Sequence, residues 1–87
     1  MYAVVFSDLA EAFLLSADKP LRKQLGYDIH LLQLDPRREG TKQLKGKINK
    51  KIAYRLRSGN YRIVYHIDHK FVVIDVLKIG PRGGVYK

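Results

Sequence analysis

Arginines on two neighbouring β segments are the residues best suited to chemistry. From residue 52 to residue 67 apolar and polar residues alternate with a period of two, and Ser-Gly-Asn at residues 58–60 is a tight-turn signal. If the apolar members face a core, Arg55, Arg57 and Arg62 point to the opposite face. The guanidinium groups of Arg55 and Arg62 would then converge from adjacent strands and could clamp a phosphate between planar forks of donors.

A solvated sheet face laced with salt bridges is the alternative interpretation. Asp68 and Asp75 are the only acids among residues 46–87, so local partners for the arginines are scarce and the phosphate clamp is favoured. The three histidines, His30, His66 and His69, lack a metal-ligand spacing with carboxylates, and we expect them at the surface. Only His66, on the arginine face, is kept as a minor catalytic candidate.

The charge of the chain is unevenly distributed. Its 87 residues carry a net charge of +9; residues 1–45 hold seven basic and six acidic groups, whereas residues 46–87 hold ten basic and two acidic groups. This asymmetry favours a nucleic acid or ribonucleoprotein as the partner, with an acidic protein as the alternative. Paired carboxylates and a nucleotide-binding glycine loop are absent from the sequence, so we expect neither a metal nor another cofactor.

The compartment is suggested by what the sequence lacks. There is no cysteine, which excludes disulfides and thiolate chemistry and is typical of a reducing environment. No apolar run is long enough for a membrane span, and the first residues lack the basic region of a signal peptide. We therefore expect a cytoplasmic protein that does not associate with membranes.

The order of elements predicts a single α+β domain over residues 1–87. A strand at residues 2–6 is followed by a helix starting at Ser7 and Asp8 and by a second helix opened by Pro20 and closed by Asp35 and Pro36. An antiparallel β-meander follows, with the apolar run 71–77 as a central strand; residues 41–44 are compatible with a short strand, and the last ten residues are expected to form a loop. The helix hairpin should cover one face of a four-stranded sheet.

A motif in the meander resembles the RelE/ParE toxin superfamily. It reads Leu-Arg-Ser-Gly-Asn-Tyr-Arg-Ile-Val-Tyr over residues 56–65, with Ile-Gly-Pro-Arg at 79–82 and Val-Tyr at 85–86, and the likeness extends over nearly the whole chain. The resemblance implies a toxin of a type II toxin–antitoxin system. It implies a RelE-like mRNA interferase, an endoribonuclease that cuts mRNA on the ribosome without a metal when the ribose 2′-OH attacks its own phosphodiester.

The resemblance also implies roles for individual residues. Arg62 would stabilise the reacting phosphate, Arg82 would act near the leaving oxygen, Tyr86 would stack on or orient the nucleotide, and Arg55 is a further catalytic candidate. Ala53 departs from the family pattern, which has a lysine there, so the proton acceptor has no assigned residue. The expected contacts with RNA or the ribosome are Lys45, Lys47, Lys50, Lys51 and Arg57, and the expected antitoxin contacts are Phe71, Val73 and Leu77.

Two other functions stay open at this point. One is a ParE-like inhibitor of DNA gyrase that cuts no nucleic acid, and the other is a catalytically weak relative that only binds its antitoxin. The joint presence of Arg62, Arg82 and Tyr86 favours the ribonuclease. In either toxin case we expect a cognate antitoxin with an acidic, partly disordered segment, in a heterodimer or heterotetramer.

Overall fold

Two helices lie on one face of a five-stranded sheet whose strand order is β1-β5-β4-β3-β2. The computed structural model describes residues 1–81. Strand β1 pairs with β5 in parallel, and all other pairs are antiparallel. Within this part of the chain neither helix has the length and apolar character that a membrane span requires. The elements are β1 (Ala3–Phe6), α1 (Asp8–Ser16), α2 (Lys19–Leu34), β2 (Thr41–Ile48), β3 (Lys51–Ser58), β4 (Tyr61–Asp68) and β5 (Val73–Pro81).

The predicted α+β architecture is confirmed, with corrections to two strands. The sheet has five strands rather than four, because the lysine-rich segment 41–48 forms a full edge strand on β3. Strand β5 begins two residues later than predicted, since Phe71 and Val72 lie in a turn, and it continues through Gly80 and Pro81, which were expected in a loop. Both edges of β5 are paired, so its predicted central position is correct.

Side chains cap the start of both helices, at Ser7 as the sequence predicts and at Asp18. The Oγ atom of Ser7 accepts a hydrogen bond from the N–H of Ala10 (3.1 Å) and donates one to the carbonyl oxygen of Leu77 (2.6 Å), which ties α1 to β5. The Oδ1 atom of Asp18 accepts from the N–H of Leu21 (3.0 Å). Pro20 sits in the first turn of α2, where its missing N–H costs nothing.

The core lies between the helices and one face of the sheet. The apolar stripe of α2 is buried at Leu25, Ile29 and Leu32, whereas Leu9 of α1 is exposed. Ile52 of β3 is also exposed, although the alternation predicts it in the core. Burial of such side chains stabilises the fold by about 1.5–3 kcal/mol each. The sheet contributes Tyr54, Leu56, Ile63, Tyr65, Ile74, Val76 and Ile79 to this core.

Tyr65 fastens the connection between α2 and β2 to the sheet. Its side chain is fully buried, and its hydroxyl donates a hydrogen bond to the carbonyl oxygen of Pro36 (2.5 Å). Burial raises the pKa of the Tyr65 phenol well above its usual range, because the phenolate would lose its hydration. The guanidinium of Arg37 lies 4.5 Å from the ring centroid of Tyr54, which adds a second attachment for the same connection.

Gly59 occupies the two-residue turn between β3 and β4 with a φ of 59°. Changing Gly59 to alanine should lower the free energy of unfolding by about 1–2 kcal/mol, because a side chain at positive φ is strained. Its Cβ would also lie 2.8 Å from the Nε2 of Gln24, which bonds to Ser58. Urea denaturation measures the change. Gly26→Ala is the matched control, since the helical Gly26 has open space around it and alanine should stabilise there by about 1 kcal/mol; equal effects of the two changes would contradict this account.

Alkaline pH should weaken the fold through Tyr65. Because the native pKa is raised, the unfolded chain loses this proton first, so the contribution is complete below about pH 10 and falls by about 1.4 kcal/mol per pH unit above it. Tyr65→Phe should be less stable than wild type near pH 7, since the carbonyl of Pro36 loses its donor, and the gap should narrow above pH 10. Denaturation midpoints from pH 7 to 11 test this, and parallel curves would contradict it.

Candidate nucleic-acid interface

The sheet face that turns away from the helices carries two cross-strand rows of basic residues. In the first row Arg62 of β4 pairs with Arg57 of β3 on one side and with Gly80 of β5 on the other. Because directly paired residues share a face, the side chains of each row project together. The second row runs across four strands through Lys42, Arg55, Val64 and Lys78.

The Arg57–Arg62 pair is the centre of this surface. Like charges placed directly opposite on a sheet are unfavourable for folding, so the pairing is better suited to holding an anion between the strands than to stabilising the sheet. No cross-strand partner in either row is acidic within the described residues. Gly80, the other cross-strand neighbour of the partly buried Arg62, carries no side chain. The arrangement can therefore place two guanidinium groups around a phosphate.

Arg55 lies one diagonal away from Arg62 rather than directly opposite it. Its cross-strand partner on β4 is Val64, and its Nη1 atom donates a hydrogen bond to the carbonyl oxygen of Gly40 (3.3 Å). Sequence reasoning assigned Arg55 to catalysis and Arg57 to RNA binding, whereas the pairing places Arg57 directly beside Arg62. The register of the hairpin, which follows from the two-residue turn, is the signal that could have ranked Arg57 first.

A small apolar cluster forms the middle of this face. Ala53 and Val64 are both fully buried there, and they are covered by Leu44, Ile48 and Leu77. Ala53 is the position at which the superfamily resemblance implies a lysine. The alanine side chain has no ionisable group, so this position takes no part in acid–base chemistry here.

The predicted RNA-binding lysines line the open edge of the sheet. All four are exposed, and they belong to β2, to β3 and to the turn between them. That turn is formed by Asn49 and Lys50, with φ angles of 52° and 66°. Two positive φ values define a type I′ hairpin, whose second position strongly prefers glycine. A lysine held in this strained conformation suggests that its charge is needed there. The four residues are Lys45, Lys47, Lys50 and Lys51.

His66 is the residue whose placement the sequence misses most clearly. It was expected at the surface, yet it is only 6% exposed, whereas His30 and His69 are exposed as expected. His66 follows Val64 on the same face of β4, and its cross-strand partner on β5 is Asp75. Strand β4 lies in the interior of the sheet, so its side chains are flanked by those of β3 and β5, and only the strand order reveals this.

The remaining predicted site residues fall into two groups. Arg82 and Tyr86 lie outside the described residues. Phe71 is 69% exposed in the turn before β5, Val73 is partly buried at the start of that strand, and Leu77 packs over Ala53 and Val64.

Comparison with solved structures identifies the family of the chain. An archaeal RelE in the RelE–RelB complex of Pyrococcus horikoshii OT3 matches with 30% identity over 95% of this chain and 97% of its own, at a TM-score of 0.79. The chain belongs to the RelE-like toxin superfamily. A chain of the intact Escherichia coli RelBE toxin–antitoxin complex matches with 29% identity over 93% of this chain and 96% of its own, at a TM-score of 0.76. The isolated E. coli RelE toxin matches with 28% identity over 93% of this chain and 84% of its own, at a TM-score of 0.73.

Sequence comparisons alone detect less. No protein-family model matches this RelE-like chain, and no curated protein sequence does. The relationship is therefore carried by the fold, together with the sequence identity over nearly the full length of the solved neighbours.

Lys50→Gly should separate stability from nucleic-acid binding. Glycine relieves the positive φ, so the free energy of unfolding should rise by about 0.5–1 kcal/mol. Loss of the charge should weaken binding of a single-stranded RNA and lower the slope of log K against log salt by about one. Fluorescence anisotropy between 50 and 200 mM salt measures this.

Lys50→Arg is the matched control, because it keeps both the charge and the strain. It should bind RNA as wild type does. If Lys50→Gly binds with unchanged affinity and salt slope, the hairpin is not part of the interface.

Proposed function

We propose that this protein is the toxin of a toxin–antitoxin pair and that it cleaves mRNA on the ribosome. The observation that carries the proposal is the cross-strand pair Arg57–Arg62 beside Gly80, on the sheet face that the helices leave uncovered. The net charge of +9 and the RelE toxins among the solved neighbours support it.

The reaction uses the nucleophile that RNA itself carries. The ribose 2′-oxygen forms a bond to phosphorus, the bond from phosphorus to the 5′-oxygen breaks, and the proton lost by the 2′-OH is balanced by one gained at the 5′-oxygen. Negative charge builds up on the phosphate oxygens as phosphorus becomes pentavalent. Arg62, with Arg57 next to it, donates hydrogen bonds to these oxygens and stabilises that charge. The products are a 2′,3′-cyclic phosphate and a 5′-hydroxyl end.

Two further roles follow from the resemblance alone. Arg82 serves at the leaving 5′-oxygen, and Tyr86 orients the nucleotide next to the scissile bond. Arg55 stays a second-row cation in this proposal, because it is held on the carbonyl of Gly40 and lies diagonal to Arg62. Its charge raises the positive potential at the phosphate.

The lysine edge serves binding rather than chemistry. The ribosome presents a dense array of RNA phosphates, and exposed lysines on a strand edge and hairpin turn can follow such a surface with little desolvation. Lys45 and Lys47 lie on β2, and Lys50 and Lys51 lie at its end, so one edge of the sheet carries them all. In this arrangement the lysine edge binds the ribosome, and the Arg57–Arg62 pair binds the mRNA.

An acidic antitoxin segment completes the proposal. The P. horikoshii and E. coli neighbours are solved as complexes with RelB. Because β5 is paired on both edges, a partner cannot add a strand to it and must contact side chains instead. Leu77 belongs to the same face as the arginines, so a segment docked over Leu77 can extend to neutralise them. Phe71 and Val73 stay proposed contacts, and the cytoplasm stays the proposed compartment.

Arg62→Ala should reduce cleavage of a defined mRNA by at least about 100-fold, since it removes a donor aimed at the transition-state charge. Mapping of mRNA 5′ ends with and without ribosomes measures the cleavage. Arg62→Lys should recover only part of it, because an ammonium lacks the guanidinium fork. Lys23→Ala, an exposed position on α2, is the control that should cleave normally.

Three outcomes would contradict the proposal. Cleavage by Arg62→Ala at the wild-type rate removes Arg62 from the mechanism. Intact transcripts together with inhibited supercoiling by DNA gyrase indicate the ParE-like function instead. Intact transcripts and normal supercoiling, with antitoxin still bound, indicate a relative that has lost activity.

A further inference from the structure

The turn that joins β3 to β4 lies directly beside the two arginines of the proposed site. Arg57 precedes Ser58, and Arg62 follows Tyr61. Ser58 and Tyr61 form the last cross-strand pair before the turn, and the two arginines form the neighbouring pair. A movement of this turn therefore moves both guanidinium groups.

The arginine pair weakens the corner of the sheet in which it lies. Like charges directly opposite each other on neighbouring strands repel. The pairing of β3 with β2 reaches only to Leu56, so Arg57 and Ser58 are paired on one side alone, with β4. A contact from outside the sheet is therefore needed to keep the end of β3 beside β4 against this repulsion.

A side chain of α2 supplies such a contact. The Nε2 atom of Gln24 donates hydrogen bonds to the carbonyl oxygen (2.8 Å) and to the Oγ atom (3.2 Å) of Ser58. Because Ser58 is only 1% exposed, water cannot readily replace Gln24 as the donor, and the loss of this donor would leave buried acceptors unpaired. Gly59 permits the close approach, since a Cβ atom at this position would lie 2.8 Å from Nε2 of Gln24.

A ring of α1 contacts the other strand at the same turn. The ring centroids of Phe13 and Tyr61 are 5.8 Å apart. Both helices therefore contact the turn from the face opposite to the arginines. The two contacts differ in kind, because the ring contact is apolar and not directional, whereas the amide of Gln24 makes directional bonds that fix the position of the Ser58 backbone.

We propose that Gln24 is a positioning residue for the arginine pair. Its amide fixes the turn at Ser58, so that the guanidinium groups of Arg57 and Arg62 stay close enough to bind one phosphate despite their mutual repulsion. The proposal rests on the proposed function, because it takes the anion between the arginines to be the reacting phosphate of RNA. Gln24 belongs to the helix layer on the other side of the sheet, so it acts through Ser58 and not on the substrate.

Helix α2 contains a matched control for this residue. Gln33 also uses its Nε2 atom to donate to a backbone carbonyl, that of Tyr2 (2.9 Å), near the other end of the helix. Gln24→Met and Gln33→Met each remove one amide donor and keep a side chain of similar length. Both should lower the midpoint of urea denaturation, and a difference between them in function then reports position rather than stability.

Cleavage of a defined mRNA on ribosomes separates binding from chemistry. In Gln24→Met the rate constant at saturating ribosome should fall at least about tenfold, because the transition-state charge meets a displaced arginine pair. The half-saturating ribosome concentration should stay within about twofold of wild type, because the lysine edge is unchanged. Gln33→Met should cleave at the wild-type rate. Equal rates for the two variants would overturn the proposal.

Amide hydrogen exchange tests the same idea without cleavage. In Gln24→Met the hydrogen-bonded amides of residues 57–62 should exchange at least about tenfold faster than in wild type, whereas Gln33→Met should accelerate exchange at residues 2–4 instead. High salt should reduce the acceleration in Gln24→Met, because salt screens the repulsion between the arginines. Adding Arg57→Gln to Gln24→Met should reduce it as well, because one of the two charges is removed. Unchanged exchange in Gln24→Met, or an acceleration that neither salt nor Arg57→Gln reduces, would contradict the proposal.

The failure of this proposal and the failure of the proposed function give different results. If wild type does not cleave mRNA, the proposed function fails, and the exchange measurement still decides whether Gln24 positions the arginine pair. If wild type cleaves and Gln24→Met cleaves equally fast, Gln24 has no positioning role, and Arg62 keeps its place in the mechanism.

Discussion

The antiparallel register between β3 and β4 is the constraint on which both the core and the basic face depend. It places Tyr54 opposite Tyr65 on the helix side and Arg57 opposite Arg62 on the other. A slip of one residue would exchange the two faces, burying guanidinium groups and exposing tyrosines. The two-residue turn at Gly59 sets this register, and Gln24 of α2 holds the turn from above through Ser58. Core and site are therefore two consequences of a single pairing.

The helix-free face combines three environments on one short stretch of sheet. Arginines occupy one end, a buried apolar cluster around Val64 occupies the middle, and a cavity with His66 and Asp75 occupies the other end. This division suits an extended polyanion better than a small ligand, because charge, apolar surface and a polar cavity follow one another along the strands. Lys50 adds a positive charge to the edge of the sheet although its backbone conformation is one that glycine adopts more easily.

The sequence predicts best the parts of the fold that local chemistry controls. The alternation in β3 and β4, the capping side chain of Ser7 and the place of Pro20 in a first helical turn all act within a few residues. Apart from the exposed Ile52, each is found where it was expected. Strand β2 was underestimated because an exposed edge strand rich in lysine shows no clear alternation. The end of β5 was missed because Gly80 and Pro81 are typical of loops, although here they pair with Arg62 and Tyr61.

The candidate site also has features that the sequence predicts and features that only the structure shows. The shared face of the arginines follows from the period of two, and structure adds only which arginine stands opposite Arg62. The burial of His66 and the cavity beside it could not be predicted, because they need β1, β5 and the β2–β3 hairpin to meet at one place. These contacts join residues far apart in the chain, and no local pattern encodes them.

The parallel pairing of β1 with β5 has a consequence for how the molecule is made. Ala3 leaves the translating ribosome roughly 70 residues before Val73, its partner in the sheet, so the first strand waits for the last one. Until β5 has been synthesised, the backbone of β1 has no strand beside it, and β4 of the β3–β4 hairpin has an unpaired edge. The nascent chain therefore exposes unpaired strand backbone, which favours association with other chains, until β5 has been synthesised.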